Sequence, residues 1–249
     1  MSILSRIFST KQASESVLLN RGIVSSSGDY IYHPHAYPSA PSGNAESSVC
    51  LATFTSVSRL FWLPWLLESW SGPVSVAVYS PGRDYAALTL VLKFLRMCFP
   101  DVEKRVSFHL LYPVKVKPSF AQEQIDISTL DCNDPESSIE NIIKALLIYK
   151  KKMASKFPQN HLRNLARRSC PTNFSLVTDI DMIPSPFMYD KMDPLLRSSI
   201  ECTKCALVIP VYEIASTETH LPTTKESLLE YLVDKKAQRY HIQVSKTKK

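Results

Sequence analysis

Glycine is scarce in this chain: its 249 residues include only five glycines, and none lies beyond Gly82. No two of them form a Gly-x-Gly pair. The dinucleotide fingerprint and the P-loop both require glycine where the backbone approaches a phosphate, so the sequence excludes both motifs. A nucleotide bound by this protein would therefore be held through a metal ion or through side chains.

Long apolar runs and strongly basic stretches are also missing. No segment approaches the ~20 consecutive apolar residues that span a bilayer, and residues 1–8 are too short for an anchor. Basic residues outnumber acidic ones by 29 to 23, but no basic stripe is interleaved with aromatic residues. We therefore expect no nucleic acid partner, and an anionic diphosphate substrate fits the mildly basic balance equally well.

Six cysteines permit disulfides without requiring them in a domain of this size: Cys50, Cys98, Cys132, Cys170, Cys202 and Cys205. The last two form a single CxxC motif, and no second pair or nearby histidine completes a zinc site. We expect disulfide partners or buried thiols rather than zinc.

The order of predicted elements indicates an α/β fold. Residues 1–48 are rich in serine and proline and predict an irregular lead-in. Strands are predicted at 49–55, 74–79, 106–112, 174–178 and 205–212. Helices are predicted at 57–70, with a kink at Pro64, and at 85–98, 139–153, 160–168 and 225–233. Alternating strands and helices favour a mainly parallel sheet, in which ligands bind beyond the carboxyl ends of the strands.

The pattern Asp179-Ile180-Asp181 follows the predicted strand at 174–178. Two carboxylates this close repel each other and are costly to bury unless a cation compensates them. Divalent ions with oxygen ligands also bridge carboxylates to phosphates. The pattern therefore predicts a Mn²⁺ or Mg²⁺ site for a diphosphate. The alternative is a strand-terminating turn whose acid caps backbone amides. The metal hypothesis would fail if the two acids lay far apart, pointed away from any cleft or formed a salt bridge with a local arginine.

Three segments in this order resemble glycosyltransferase family 49: residues 158–167 (PQNHLRNLAR), 178–185 (TDIDMIPS) and 206–214 (ALVIPVYEI). Weaker similarity extends the resemblance to residues 49–244. It implies a GT-A-like, Rossmann-type fold and Mn²⁺-dependent transfer of glucuronic acid from UDP-glucuronate, with inversion. The expected acceptor is a glycan on a glycoprotein, of the xylose-terminated O-mannosyl type found on dystroglycan.

Carried over from the family, Asp179 and Asp181 match the residues that hold the metal. Arg163 and Arg167 lie four positions apart on one face of a predicted helix, where they could contact a diphosphate or the sugar carboxylate. A solvated basic helix surface is the alternative, and it is at least as good an explanation for Arg167.

Asn164 shares the side of the helix on which Arg163 lies and also matches the family. Thr53 could touch the nucleotide, although a buried strand threonine explains it equally well. An inverting transfer needs a general base, and Glu213, after a predicted strand, is the candidate. Its alternative is an acid in a surface turn.

The family continues beyond residue 244, with a metal-ligating histidine that none of the six histidines here matches, and it carries an N-terminal anchor helix. We therefore expect residues 49–244 to form a partial domain that lacks its C-terminal part, followed by a basic tail at 245–249. The full-length form is expected to be a type II membrane protein of the Golgi lumen, attached to the membrane only through the missing anchor. Little or no activity is expected of the chain as it stands.

Two other functions remain open. A haloacid-dehalogenase-like phosphatase also uses an Asp-x-Asp motif, but it needs a later lysine and an acidic pair that do not follow here. An inactive fragment with a binding or regulatory role is the non-enzymatic alternative. Metal-dependent binding of UDP would favour the transferase over both.

Overall fold

The computed structural model describes residues 22–40, 48–119, 125–146, 157–199, 206–218 and 220–241. Its main sheet has six strands in the order β1-β2-β5-β4-β3-β6. Their bounds are β1 (Ile23–Val24), β2 (Tyr30–Tyr37), β3 (Val49–Ser56), β4 (Val74–Tyr79), β5 (Val106–Pro113) and β6 (Phe174–Val177). The four strands β5, β4, β3 and β6 run parallel, whereas β2 is antiparallel to β5 and β1 to β2. The predicted α/β class with a mainly parallel sheet is confirmed.

The described residues contain seven α-helices, and helices cover both faces of this sheet. They are α1 (Leu63–Ser69), α2 (Asp84–Cys98), α3 (Pro100–Arg105), α4 (Pro135–Leu146), α5 (Gln159–Arg168), α6 (Met188–Ser199) and α7 (Lys225–Val233). Side chains of a strand point alternately to its two faces. Val76 and Val78 of β4 therefore join the core beneath α1, α2 and α4, and Ala77 and Tyr79 pack towards α5 on the other face. A sheet buried on both sides explains why β3 and β4 are continuous apolar runs.

The predicted irregular lead-in is wrong for part of 1–48, because β1 and β2 extend the sheet there. Pro34 favoured a loop, yet it lies where the register of β2 against β5 shifts, between His33 and Tyr37. Proline is tolerated at such irregularities because no ladder hydrogen bond is required of it. Residues 1–21 and 41–47 lie outside the described part of the chain.

Pro64 does not kink a helix over 57–70. A 3-10 helix over Val57–Trp62 ends just before α1 begins at Leu63. Pro64 therefore lies in the first turn of α1, where its missing N–H removes no helical hydrogen bond. Helices α3 and α6 were not predicted, and Pro194 lies inside α6. The predicted helix over 139–153 is confirmed as far as Leu146, and its continuation lies outside the described residues.

The predicted strand over 205–212 is also wrong. Residues 206–211 form no strand, and only Tyr212–Ile214 (β7) pairs, with Ala237–Arg239 (β8), in a separate two-stranded sheet. The apolar run gains little burial: Leu207 and Val208 are 56% and 92% exposed. An apolar run becomes a strand only where a neighbour accepts and donates its backbone hydrogen bonds. In the described chain Val211 accepts one from the Tyr240 N–H at 3.0 Å, but 206–211 forms no strand ladder, and Pro210 has no N–H to donate.

Two disulfides join Cys50 to Cys170 and Cys98 to Cys132. The first connects β3 to the residues just after α5. These bonds confirm that cysteines serve as disulfide partners, and Cys202 and Cys205 lie outside the described residues. Across the parts of the chain that the structure describes, we find no helix with the length and hydropathy to cross a membrane.

Helix α6 is fastened to the start of β3 through Asp193. Its carboxylate accepts hydrogen bonds from the Ser48 N–H at 2.6 Å and from the Arg197 Nε at 2.9 Å. Burial alone raises the pKa of Asp193, but these hydrogen bonds outweigh burial and hold the pKa below its ordinary value. The folded state therefore favours the ionised form of Asp193.

Candidate functional site

The ends of β3 and β6 form the edge of the sheet at which the candidate site lies. These two strands are adjacent and parallel, with Ala52 opposite Val177, so the segments that follow them leave the sheet at the same edge. After β3 the chain enters the 3-10 helix that carries Arg59. After β6 it turns at once, with the Met182 N–H donating to the Asp179 carbonyl at 3.1 Å. This edge is where the ligand of a parallel α/β sheet is expected.

Ile180 fixes the orientation of the two acids. It is 3% exposed and belongs to the core beneath α1 and α2, whereas Asp179 and Asp181 on either side of it both line a single cavity. The cavity has a volume of about 300 Å³. It is lined by Phe54, Thr55, Ser56, Arg59, Phe157, Asp179, Ile180 and Asp181. The acids therefore face one cleft, as a shared ligand site requires.

Each acid is paired with an arginine from a different element. Arg59 Nη2 lies 2.6 Å from Asp181 Oδ2, and Arg163 Nη2 of α5 lies 3.1 Å from Asp179 Oδ1. Pairing with arginine is the arrangement that argues against a metal site, because two guanidinium groups already compensate the charge of the two carboxylates. The need for a cation is therefore weaker than the sequence predicts, and the metal site stays a prediction.

Whether the arginine pairs exclude a metal ion depends on how strong the pairs are. The side chains are substantially exposed, at 52% and 42% for Arg59 and Asp181 and at 41% and 33% for Arg163 and Asp179. Ion pairs in contact with water contribute about 0–1 kcal/mol. A divalent cation held jointly by two carboxylates and a phosphate can displace pairs of that strength.

The donor set fits a cation shared with a substrate rather than one enclosed by protein. Among the residues that the structure describes, no cluster of three or more His, Cys, Asp or Glu side chains could hold a metal ion. Mg²⁺ and similar ions are commonly held by one or two carboxylates together with substrate phosphates and water. Asp179 and Asp181 supply those two carboxylates, so the residues present fit such a group.

Helix α5 brings Arg163 to the site and is held against the sheet by a buried polar network. Ser75 Oγ donates to the Ala166 carbonyl at 2.7 Å and lies 2.8 Å from His109 Nε2. Since the Ser75 proton is used, His109 Nε2 donates to Ser75 and Nδ1 accepts from the His35 N–H at 2.7 Å. Burial, with a smaller contribution from His35, lowers the pKa of His109 to about 3, so both ring nitrogens act in the neutral form.

None of the predicted residues of α5 lines the cavity itself, but Arg163 reaches one of the two acids. Asn164 and Arg167 are exposed, whereas Arg163 lies with its guanidinium carbon 5.0 Å from the centre of the Phe54 ring. For Arg167 the arrangement matches the alternative of a solvated helix surface. Only Arg163 of the three is brought to Asp179.

Thr53 and Glu213 also lie away from the cavity lining. Thr53 is fully buried and its hydroxyl has no hydrogen-bond partner, which matches a buried strand threonine, and Thr55 contacts the cavity instead. Glu213 lies in β7, where its carboxylate accepts from Gln238 Nε2 at 2.6 Å. The structure does not bring Glu213 to the two acids, and its role as a base stays a prediction.

Sequence reasoning missed Arg59 and the aromatic side of the cavity. Phe157 is 40% exposed. The centre of its ring lies 6.4 Å from the centre of the Phe54 ring and 5.7 Å from the centre of the Tyr79 ring. The rule that ligands bind where parallel strands end would have identified Arg59, three residues after β3. No comparable signal identifies Phe157.

The strand before the acids is half-buried at the edge of the described sheet, whereas the apolar pattern predicts a buried one.

Comparison with known proteins finds relatives among the glucuronyltransferases. β-1,4-Glucuronyltransferase 1 of Bos taurus is 31% identical over 217 residues, which cover 86% of this chain and 51% of that protein, and the Homo sapiens protein gives the same values. Xylosyl- and glucuronyltransferase LARGE2s of Danio rerio is 24% identical over 193 residues, 75% of this chain and 20% of that protein. The chain thus spans about half the length of the first two relatives.

The matching family is described as "Glycosyl-transferase for dystroglycan", and its model covers residues 48–248. This range includes β3, β6, both acids and both arginines. Since the match extends over most of the chain, the protein belongs to this family of glycosyltransferases for dystroglycan.

Proposed function

We propose that this chain is the nucleotide-sugar-binding part of a glucuronyltransferase that uses UDP-glucuronate, a divalent cation such as Mn²⁺, and a glycan acceptor on a glycoprotein. The observation that carries the proposal is the convergence of Asp179 and Asp181 on one cavity at the carboxyl edge of β3 and β6. Family membership favours this function over the phosphatase alternative.

The two sides of the cavity suit the two parts of a nucleoside diphosphate. Arg59, Asp179 and Asp181 form a charged side, and Phe54 and Phe157 form an aromatic side. Guanidinium groups bind phosphate oxygens through paired N–H donors, and an exposed aromatic ring offers a base a stacking surface. We assign the diphosphate to the charged side and the base to the aromatic side.

In the proposed reaction, the acceptor hydroxyl oxygen forms a bond to C1 of the glucuronyl group as the bond from C1 to the diphosphate oxygen breaks. UDP leaves, and the proton of the hydroxyl passes to a base. A divalent cation supplies charge stabilisation of the leaving diphosphate when it is bound. The residues of this chain would orient the diphosphate through Arg59 and Arg163 and place two carboxylates beside it.

The proposed compartment and membrane attachment do not rest on the cavity. The two disulfides fit an oxidising compartment, where such bonds persist. We propose the Golgi lumen, with a type II membrane anchor in the full-length form, and the acceptor as the O-mannosyl glycan of dystroglycan type.

Calorimetric titration of the 249-residue protein with UDP, with and without Mn²⁺, tests this function. We expect binding that depends on Mn²⁺ and is lost in Asp181→Asn, with UDP-glucuronate competing better than UDP-glucose. Binding that ignores both Mn²⁺ and the substitution would refute a metal-bridged diphosphate. Absence of any binding would support an inactive fragment instead.

A further inference from the structure

The arginines of the cavity occupy the very carboxylates that the proposed cation needs. Arg59 pairs with Asp181 and Arg163 with Asp179, each through one terminal guanidinium nitrogen. A guanidinium carries five N–H donors, so one contact of this kind does not use its full capacity. The same groups are suited to bind phosphate oxygens.

Counting charges in the cavity gives a simple balance. Asp179, Asp181 and Arg59 line the cavity, and Arg163 pairs with Asp179 without being part of the lining. Their four charges sum to zero in the free protein. A divalent cation alone would leave two displaced guanidinium groups facing it, and an anionic diphosphate alone would leave two carboxylates facing it. When both ligands are present, the carboxylates face the cation, the guanidinium groups face the diphosphate, and the charges are again close to balanced. Like charges left without compensation in a partly buried site are unfavourable.

We propose that Arg59 and Arg163 are exchangeable counter-ions that couple cation binding to diphosphate binding. They hold Asp181 and Asp179 in the free protein and turn to the diphosphate when the cation occupies the carboxylates. Each ligand then strengthens the other, as thermodynamic linkage between two sites requires. This inference rests on the proposed function, because it assumes the same cation and the same diphosphate.

The surroundings of the two arginines allow the exchange without unfolding. The Arg59 side chain is 52% exposed on the short 3-10 helix after β3. The Arg163 guanidinium lies over the Phe54 ring, a contact that is compatible with rotation of the terminal group towards the cavity. Pairs in contact with water are weak enough to exchange.

The experiment compares Arg59→Gln and Arg163→Gln with the control Arg168→Gln. Arg168 is an exposed residue of α5, five positions beyond Arg163 and absent from the cavity lining. The control removes the same charge as either variant, and removes it from the helix that carries Arg163, without removing an ion pair with either acid. Calorimetry measures the affinity for Mn²⁺ alone, for UDP alone and for UDP in the presence of Mn²⁺.

We expect Mn²⁺ alone to bind about two- to fivefold more tightly to each of the two variants than to Arg168→Gln, because its competitor for a carboxylate is gone. UDP in the presence of Mn²⁺ should bind on the order of tenfold more weakly, because a charge-assisted contact with phosphate is lost. The factor by which Mn²⁺ raises UDP affinity should fall in both variants and stay unchanged in Arg168→Gln. The Mn²⁺–UDP complex in free solution is identical in all samples, so it cannot produce that difference.

Arg59→Lys provides a second measurement. It keeps the charge but replaces the planar fork with a single ammonium group, so we expect UDP affinity between those of the wild type and Arg59→Gln. Thermal unfolding checks that each variant is folded, and if Arg163→Gln is not, the two Arg59 variants carry the test.

Equal Mn²⁺ affinity in Arg59→Gln and Arg168→Gln would overturn the exchange, as would parallel loss of Mn²⁺ and UDP affinity. Either result leaves the proposed function standing if the wild type still binds UDP only with Mn²⁺ and Asp181→Asn does not. A wild type that binds neither ligand would overturn both.

Discussion

Arg59 and Asp181 are 122 positions apart in the sequence, yet the guanidinium Nη2 of one lies 2.6 Å from the carboxylate Oδ2 of the other. The contact exists because β3 and β6 are neighbouring parallel strands. Arg59 follows the first strand and Asp181 follows the second, so the edge of the sheet gathers a cation and an anion that the sequence keeps far apart. The predictions below test what this edge does and what holds it in place.

Replacing Asp181 by asparagine should remove metal-dependent UDP binding while leaving the fold nearly unchanged. The ion pair that is lost is 42–52% exposed, so the free energy of unfolding should change by no more than about 1 kcal/mol. Urea titration measures this stability and calorimetry measures the binding. Glu213→Gln is the control, since Glu213 does not line the cavity. Loss of UDP affinity in that control would show that Glu213 contacts the nucleotide.

Replacing Phe157 by leucine should weaken UDP binding without changing affinity for Mn²⁺ alone. Phe157 is 40% exposed on the aromatic side of the cavity, and loss of a stacked base contact is worth about 1–3 kcal/mol. That corresponds to roughly five- to 150-fold in the dissociation constant. Uridine, which has no phosphate, should show the same proportional loss. Unchanged affinity for uridine would place the base elsewhere.

The two disulfides should differ in their contributions to stability. Cys50–Cys170 spans 120 positions and Cys98–Cys132 spans 34. Loop-closure entropy in the unfolded chain then gives about 5 kcal/mol for the first bond and about 4 kcal/mol for the second. Paired serine variants compared by urea denaturation test this order, with free thiols counted in each. A larger loss for the shorter loop would show that effects in the folded state dominate.

Stability should fall as the pH drops below about 6.5 because of His109. In the folded protein the pKa of His109 is about 3, against 6.5 for the free group, so the unfolded chain binds this proton first. Between these two values protonation favours unfolding, by about 1.4 kcal/mol per pH unit from this group.

Glutamine at position 109 keeps one donor and one acceptor but does not titrate. The free energy of unfolding of His109→Gln should therefore depend less steeply on pH in denaturation experiments between pH 7 and pH 5, with a difference in slope that approaches the equivalent of one proton near pH 5. Identical slopes for wild type and variant would show that His109 is not buried in its neutral form.

Local patterns were sufficient for much of the parallel part of the sheet. Apolar β-prone runs over 49–55, 74–79 and 106–112 became β3, β4 and β5, and their near-continuous apolar composition already indicated burial on both faces of a sheet. The run over 206–211 is also apolar, but it contains Pro210 and formed no strand. A strand depends on a neighbour for its backbone hydrogen bonds, and the sequence of one segment does not specify that neighbour.

The candidate site shows the same division. The sequence by itself determined that two carboxylates follow a strand and that Arg163 and Arg167 lie on the helix before it, since residue type and spacing carry that information. Only the tertiary structure decided that Arg59 and Phe157 share their cavity, that Thr53 and Glu213 do not line it, and that both acids are already paired. Those facts depend on which strands are adjacent, and strand adjacency is a property of the whole packed sheet.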